Sequence, residues 1–398
     1  MSAPASSGRL LGVVRSVFDQ STPANRLLTR GLAGLLLFVF VISIPSYFAM
    51  FPGVDLEIPL RAAGRWADGG LPYLPSSFAY TAGPNLPYLY PPWLLPFLVP
   101  IVTLPRTPVT VVWLALGVAA CIWTCRRLSI PWRAVPFMLF WPPFTEGMVL
   151  GNVQVFQFAA FVTLFYLPGS SWRLRPRIFG EGRATHSDTR AVAARRRLRD
   201  DICDGLLAAG VGAAKWTQLL PVAALLRPRP RAAILGGAAL VAVAAAMLPL
   251  TGVEIYRDWL NQLWQAADPS WPPSGVGLAS LIGRPLASVV AVVTVLAMFF
   301  VRGRDAGAWV GIALLVAAPT IHGYGMLFLL PALFVLRRDL AIFLATIVAR
   351  YNPYGWWISI AVAAIALAAS GRFPALRAQG PSPAPGPSSA IAPEGQSG

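Results

Sequence analysis

Asp55 is the side chain whose type and position most favour chemistry. It follows the apolar stretch 31–50 by only a few residues, so we expect it at the boundary between membrane and water. Partial desolvation raises the pKa of a carboxyl group toward neutrality, where the group can serve as a general base. The alternative interpretation is an ordinary N-cap aspartate, because Leu56 to Ala67 has the pattern of a short amphipathic helix along the interface.

Groups that can bind an anion occur at separate points of the chain. Lys215 is the only lysine among 32 basic residues and stands inside an apolar segment, where a cation is costly and often marks a functional site. His322 begins an apolar stretch beside Tyr324, and Arg61 follows Asp55 in the predicted interfacial helix. A lysine, an arginine or a histidine there can bind a phosphate. Snorkelling of Lys215 and a purely interfacial role for His322 are the alternatives.

Glu146 and the run Gly151-Asn152-Val153-Gln154 interrupt an otherwise apolar region. Polar groups inside a membrane must find partners, so these side chains either line a pocket or pack helices together. The residues alone favour helix packing.

Composition favours a polytopic membrane protein of the all-α class. Of 398 residues, 56% are hydrophobic and only 12% are charged, against about 25% charged in a soluble domain. The net charge of +16 comes mainly from arginines between apolar stretches and at the termini, which is typical of cytoplasmic loops. We therefore predict no nucleic-acid partner. Cys121 and Cys125 share a helix face but have no His or carboxylate neighbours, so they make a poor metal site, and the sequence predicts no metal site and no cofactor.

Apolar stretches divide the chain into a membrane domain and two terminal segments. We predict a cytoplasmic segment over 1–30, a transmembrane domain over 31–370 and a disordered tail, rich in Pro, Ser and Gly, over 371–398. About 20 apolar residues in a helix cross the hydrocarbon of a bilayer. The candidate spans are 31–50, 88–105, 107–125, 134–168, 203–226, 232–250, 276–301, 306–320, 322–336, 339–350 and 353–370.

Basic residues orient these spans. The Arg-rich segment 169–203 favours the cytoplasm, and the first loop, 51–87, then lies on the extracytoplasmic side with short interfacial helices. Stretch 203–226 has basic residues on both flanks, which predicts a helical hairpin that turns near Lys215 and Trp216.

The crossing count follows from this orientation. If 134–168 crosses once, as one broken helix, the chain makes about twelve crossings and both termini are cytoplasmic. Arg126, Arg127 and Arg133 then fall on the extracytoplasmic side, against the positive-inside rule.

The order of several short elements resembles glycosyltransferase family 87, the polyprenol-phosphate-mannose-dependent mannosyltransferase-like family of the GT-C superfamily. Asp55 is followed by the predicted interfacial helix and then by Gly70-Leu71-Pro72-Tyr73, Tyr90-Pro91-Pro92 and Leu104-Pro105. Gly151-Asn152-Val153-Gln154 is similar to the family's Gly-Gln-x-Asn element with the two amides exchanged. Gly205 to Lys215 is similar to its small-residue helix that ends in lysine, with Trp216 in place of the family's proline. Ala318-Pro319-Thr320-Ile321-His322 is similar to its Ser-Pro-x-Ser-Trp-x-His element, shortened and without the tryptophan.

This resemblance, over roughly residues 30–340, implies a GT-C fold and a catalytic role for Asp55 as the base. It implies a pocket whose candidate donor-phosphate contacts are His322, Lys215, Arg61 and Tyr324, and whose other candidate residues are Glu57, Tyr73, Tyr90, Asn152 and Gln154. The expected partners are a polyprenyl-phosphate-linked sugar donor, a lipid or glycan acceptor, and membrane lipids. We expect a multi-pass protein of a bacterial plasma (inner) membrane with an extracytoplasmic active site.

The implied activity is an inverting transfer of a sugar, with mannose as the expected sugar. Polyprenyl phosphate leaves already charged, so one carboxylate and a few cationic groups suffice, and the second carboxylate of a glycosidase is not required. No nucleotide-binding motif occurs, in agreement with a lipid donor. An arabinosyl or other pentosyl transferase is the near alternative. A secondary transporter or flippase of lipid-linked sugars, or an inactive protein of the same fold, remains a further alternative, although no repeat of two halves is evident.

Overall fold

The structure is a computed structural model that describes scattered positions within 30–45 and the ranges 52–80, 83–166, 188–215, 218–266, 277–301, 304–336, 338–349 and 352–369. Throughout these ranges the chain is helical and contains no strand, which confirms the all-α class. The predicted segment 1–30, the candidate span 31–50, residues 169–187 and the tail 371–398 lie wholly or largely outside the described residues.

The α-helices of the described residues are α1 Val54–Ala67, α2 Leu95–Val102, α3 Arg106–Arg127, α4 Val135–Leu139, α5 Pro142–Val149, α6 Gln154–Tyr166, α7 Asp188–Ala213, α8 Leu220–Leu225, α9 Pro230–Thr251, α10 Val253–Ala266, α11 Leu278–Ile282, α12 Arg284–Met298, α13 Arg304–Ala317, α14 Leu330–Val335, α15 Arg338–Ala349 and α16 Pro353–Ala369. Short 3₁₀ helices occur at Pro75–Ala79, Pro92–Leu94, Trp132–Ala134 and Gly323–Leu329.

Helix α1 is the amphipathic element expected after the first apolar stretch. It begins two residues before the expected start because Gly53, with a φ of 78°, turns the chain into the helix in a left-handed conformation. Asp55 and Glu57 occupy its first turn, where the helix dipole favours negative charge. Leu60 and Ala63, further along the helix, are buried.

The segment 88–105 does not form one continuous helix of the length that a membrane span needs. Its α-helical part, α2, has only eight residues, and it packs along α1. Near the start of the segment, Tyr88 packs in one cluster with Ile58 of α1. At its end, Arg106 lies 3.9 Å from Glu57 of α1. Residues at both ends of the segment therefore pack near α1.

The stretch 134–168 also differs from the expected single broken crossing. Trp113 donates to the carbonyl of Gly151 at 2.8 Å, and Trp123 donates to the hydroxyl of Thr163 at 2.9 Å. Helix α6 therefore runs in the same direction as α3, and the leg made of α4 and α5 returns between them in the opposite direction. The stretch thus forms two legs that meet in the turn at Gly151, whose φ is 70°.

The parallel course of α3 and α6 also decides where the basic residues at the end of α3 lie. The end of α3, with Arg126 and Arg127, now lies at the same end of the molecule as the end of α6. That is the end from which the Arg-rich segment departs, so the conflict with the positive-inside rule disappears.

Helices α7, α8 and α9 form a close-packed unit around a break near Lys215. Helix α7 ends at Ala213 and α8 begins at Leu220, and α8 packs back against α7. Gly205 of α7 and Gly236 of α9 let the two backbones touch, since a Cβ on Gly236 would lie 2.6 Å from the Gly205 carbonyl oxygen. Arg229 fixes this unit through ion pairs with Asp201, at 2.7 Å, and with Asp204.

Aromatic packing fixes the chain that follows α13. Phe328 packs edge-to-face on Phe158 and Phe161 of α6, with ring centroids 5.3 and 5.4 Å apart. Gly311 of α13 allows a close backbone approach, because a Cβ there would lie 2.2 Å from the carbonyl oxygen of Phe328. The segment after His322 is therefore held between α6 and α13.

Helices α3 and α9, of 22 residues each, are long and apolar enough to cross a membrane. Seven further apolar helical stretches of 10–17 residues occur in the described ranges. Only 22% and 11% of the most apolar windows of α3 and α9 are buried inside the protein. Side chains such as Val112, Ile234 and Val241 are exposed, which is the pattern of helices that face lipid.

Candidate active site

A cavity of about 460 Å³ brings together residues that are far apart in the sequence. It lies between the start of α1, the turn after α5, the break between α7 and α8, and the segment after α13. Its polar and aromatic wall residues include Asp55, Tyr90, Glu146, Asn152, Gln154, Lys215, Gln218, His322 and Tyr324. Apolar side chains, among them Ile58, Leu314 and Leu315, form much of the remaining wall.

Backbone hydrogen bonds attach Asp55 to the end of α5. The amide of Gly53 donates to the carbonyl of Val149 at 2.8 Å, and the amide of Asp55 donates to the carbonyl of Leu150 at 2.9 Å. These bonds satisfy donors at a helix start and acceptors at a helix end, which otherwise lack partners. Asp55 is thus fixed at the cavity wall by main-chain geometry rather than by its own side chain.

Asn152 orients the carboxylate of Asp55. Its Nδ2 donates to Oδ2 of Asp55 at 2.7 Å, while its Oδ1 accepts from the amide of Gln154 at 2.9 Å. The second bond caps the start of α6. Because this cap fixes the orientation of the Asn152 side chain, it also fixes the direction in which Nδ2 points toward Asp55. The Asn152 side chain therefore connects the Asp55 carboxylate to α6.

The environment of Asp55 favours uptake of a proton by its carboxylate. Burial raises the pKa of the Asp55 carboxyl above its usual value, while the hydrogen bond from Asn152 and the charge of Lys215 act in the opposite direction. Burial has the largest effect, so the carboxylate binds a proton more readily than an exposed aspartate does.

Lys215 lies in the break between α7 and α8 and is surrounded by aromatic rings. Its Nζ is 5.8 Å from the ring centroid of Tyr90 and 5.4 Å from that of Tyr324, within the range of cation–π attraction. His322 stacks on Tyr324 with ring centroids 5.2 Å apart. A cation, an imidazole and a phenol therefore line one region of the wall, as a phosphate-binding surface requires.

Two polar residues of this wall, Glu146 and Gln218, are not among the site residues that the sequence predicts. The signal for Glu146 was its isolation as an acid within an apolar stretch, which was set aside in favour of helix packing. Gln218 is 4% exposed, and its carbonyl oxygen, like that of Gln154, has no hydrogen-bond partner in the described part of the chain. A ligand that donates hydrogen bonds would satisfy both oxygens.

Three selected residues are not brought to the cavity. Arg61 is exposed and donates to the side chain of Asn85 at 3.1 Å. Glu57 lies between Arg61 and Arg106, at 3.5 and 3.9 Å. Tyr73 is buried, and its hydroxyl donates to the carbonyl of Tyr90 at 2.7 Å, so it supports the wall from behind.

Among the described residues, no group of three or more His, Cys, Asp or Glu side chains is arranged to hold a metal ion. The cavity offers two carboxyl groups, three amides, a lysine and an imidazole. This set suits hydrogen bonding to hydroxyl groups and binding of an anion.

Comparison with known proteins assigns the family. The model of glycosyltransferase family 87 matches residues 88–319, which is more than half of the chain. The chain belongs to glycosyltransferase family 87. It is therefore a glycosyltransferase, with a sugar donor and an acceptor as its partners. Its family and its apolar helices together suggest a membrane protein. No curated protein and no solved structure matches the chain.

The matched range covers much of the cavity of this family 87 member. Tyr90, Glu146, Asn152 and Lys215 lie within the match, whereas Asp55 precedes it. His322 and Tyr324 follow the end of the match by a few residues. The cavity thus joins residues inside the matched range to a carboxylate from the segment before it.

Proposed function

We propose that this glycosyltransferase transfers mannose from a polyprenyl-phosphate donor to a lipid or glycan acceptor, with inversion and with Asp55 as the general base. The observation that carries this proposal is the single cavity that joins a buried carboxylate to a lysine and an imidazole within largely apolar walls. A lipid-linked sugar phosphate has matching parts: an anomeric carbon, a charged phosphate and an apolar chain.

The reaction is a single displacement. Asp55 takes the proton of the acceptor hydroxyl while that oxygen bonds to the anomeric carbon. The bond between the anomeric carbon and the phosphate oxygen breaks, and polyprenyl phosphate leaves with the electron pair. Lys215, His322 and Tyr324 stabilise the added negative charge on the phosphate. One displacement inverts the anomeric centre, and the proton on Asp55 passes to water after product release.

The cavity wall also favours a lipid over a nucleotide donor. Leu314, Leu315 and Ile58 offer apolar surface to an isoprenoid chain. Within the described residues, the anion-binding groups are the side chains of the wall, and no glycine-rich loop precedes a helix as in nucleotide sites.

We further propose that the cavity opens on the extracytoplasmic side of a plasma membrane, with twelve crossings and both termini in the cytoplasm. The parallel course of α3 and α6 puts Arg126 at the end where the Arg-rich segment departs, and Asp55 at the other end. In a cysteine-free background, Arg126→Cys should react with an impermeant thiol reagent only from the cytoplasmic side. Ser76→Cys should react only from the opposite side. Labelling of both from one side would contradict this orientation.

The activity itself is tested with purified protein in proteoliposomes that contain labelled polyprenyl-phosphate-mannose and a membrane lipid extract. We expect label to move to a lipid or glycan acceptor, and Arg61→Gln, outside the cavity, to retain this transfer. A donor carrying arabinose that is used faster than the mannose donor would favour the pentosyl alternative. Movement of intact donor across the bilayer without transfer would favour the flippase alternative and contradict the proposal.

A further inference from the structure

Glu146 shares the support that positions Asp55. It lies in α5, one turn before Leu150, whose amide donates to the Glu146 carbonyl at 3.0 Å. The carbonyl of Leu150 in turn accepts from the amide of Asp55. The two carboxyl groups of the cavity are thus attached to one helix end, so their separation is set by backbone structure.

The carboxylate of Glu146 fits against a glycine. A Cβ at Gly323 would lie 1.9 Å from Oε2 and 3.3 Å from Oε1 of Glu146. Any side chain at position 323 would therefore displace the carboxylate. Gly323 directly follows His322, so Glu146 is held next to the region proposed to bind the donor phosphate.

Glu146 has no protein hydrogen-bond donor in the described part of the chain. The hydrogen bonds and ion pairs of the described residues include none to its carboxylate, although the residue is partly buried and lines the cavity. A carboxylate at the edge of an apolar interior is unfavourable without hydrogen bonds. Its partners are therefore expected to come from the ligand.

The chemistry of that ligand follows from the groups that lack partners. A carboxyl group has two oxygens that can accept hydrogen bonds from hydroxyl groups. The side-chain carbonyl oxygens of Gln154 and Gln218 also lack hydrogen-bond partners in the described part of the chain and need donors. The part of a lipid-linked sugar phosphate that carries hydroxyl donors next to the phosphate is its sugar.

We propose that Glu146 binds hydroxyl groups of the donor sugar and thereby selects a glycosylated lipid phosphate over the bare one. This inference rests on the proposed function. Asp55 acts on the acceptor hydroxyl, whereas Glu146 binds the donor and takes no proton in the reaction. Glu146 is thus a specificity residue, and the family match assigns no role to it.

The test compares two lipids in nanodiscs that contain the full chain. Polyprenyl-phosphate-mannose and polyprenyl phosphate without sugar are titrated against wild type, Glu146→Gln and Glu146→Asp. We expect wild type to prefer the sugar-bearing lipid and Glu146→Gln to bind it about tenfold more weakly, because an amide replaces one of the two carboxyl oxygens with an NH₂ group that accepts no hydrogen bond. Binding of the bare lipid should change less than twofold.

The matched control is Glu57→Gln, since Glu57 lies on α1 outside the cavity and its side chain is 26% exposed. It should leave both affinities unchanged. Gly323→Ala displaces the carboxylate without changing its charge and should reproduce the loss of preference. Full preference for the sugar-bearing lipid in both Glu146→Gln and Gly323→Ala would overturn this inference. Failure of wild type to bind either lipid would instead contradict the proposed function.

Discussion

Substitutions of Asn152 can distinguish its hydrogen bond to Asp55 from its role as the cap of α6. Its Nδ2 donates to Asp55 at 2.7 Å, and its Oδ1 caps α6 through the amide of Gln154 at 2.9 Å. Serine retains a cap acceptor but is too short to reach the carboxylate, whereas alanine loses both bonds. The two substitutions therefore have different expected effects on activity and stability.

The magnitudes follow from the two bonds. A hydrogen bond to a charged group contributes about 1.5–3 kcal/mol, which corresponds to roughly 10- to 150-fold in kcat/KM if it acts fully in the transition state. We expect this loss in Asn152→Ser and in Asn152→Ala alike. Only Asn152→Ala should also lose about 1 kcal/mol of stability, because it lacks a helix cap.

The assay measures initial rates of mannose transfer against pH, with apparent Tm of the same preparations. Losing the hydrogen bond raises the pKa of Asp55 further, so the acid limb of kcat/KM should move to higher pH in both variants. Wild-type kcat/KM and an unshifted acid limb in Asn152→Ser would refute this role of Asn152.

Three further outcomes are expected. Because burial raises the pKa of Asp55, kcat/KM of wild type should fall with decreasing pH while an exposed aspartate would still be ionised; an acid limb at the usual aspartate pKa would contradict this. Since the charge of Lys215 lowers the pKa of Asp55, Lys215→Met should move this acid limb to higher pH. Arg229→Met should lower the free energy of unfolding by about 3 kcal/mol, because it leaves Asp201 and Asp204 unpaired. The loss is measured as a lower apparent Tm, and an unchanged Tm would count against these ion pairs. Arg61→Gln should keep kcat/KM within about twofold of wild type, as expected for an exposed ion pair, and a large loss would mean that Arg61 contacts substrate.

The sequence predicted those site residues whose rarity or position was informative. Asp55 was selected because it follows an apolar stretch, and Lys215 because a lone lysine in an apolar segment is costly. Both reach the cavity. Arg61 does not, since six residues along a helix correspond to about 240° around its axis, so it lies away from the face of Asp55.

Hydropathy alone could not predict the path of the chain. The segment 88–105 is apolar enough for a span, but prolines at 91, 92, 96 and 100 limit its α-helix to Leu95–Val102. The reversal within 134–168 depends on Gly151 in a left-handed conformation and on contacts of Trp113 and Trp123 with α6. Contacts between distant segments decide both features, and no local pattern encodes them.

Glu146 was missed for a related reason. Within its own segment it resembles a polar packing residue, and only the approach of Gly323, far along the chain, makes it part of a cavity. The same holds for Gln218, whose unpartnered oxygen is evident only from the fold.

The identity of the base is tested most directly by Asp55→Asn in the mannose-transfer assay. The amide has the same shape but cannot accept the acceptor's proton, so transfer should fall at least a thousandfold, on the order of a general-base contribution, while polyprenyl-phosphate-mannose still binds. An Asp55→Asn protein that transfers mannose at a rate near that of wild type would contradict the assignment of this carboxylate as the base.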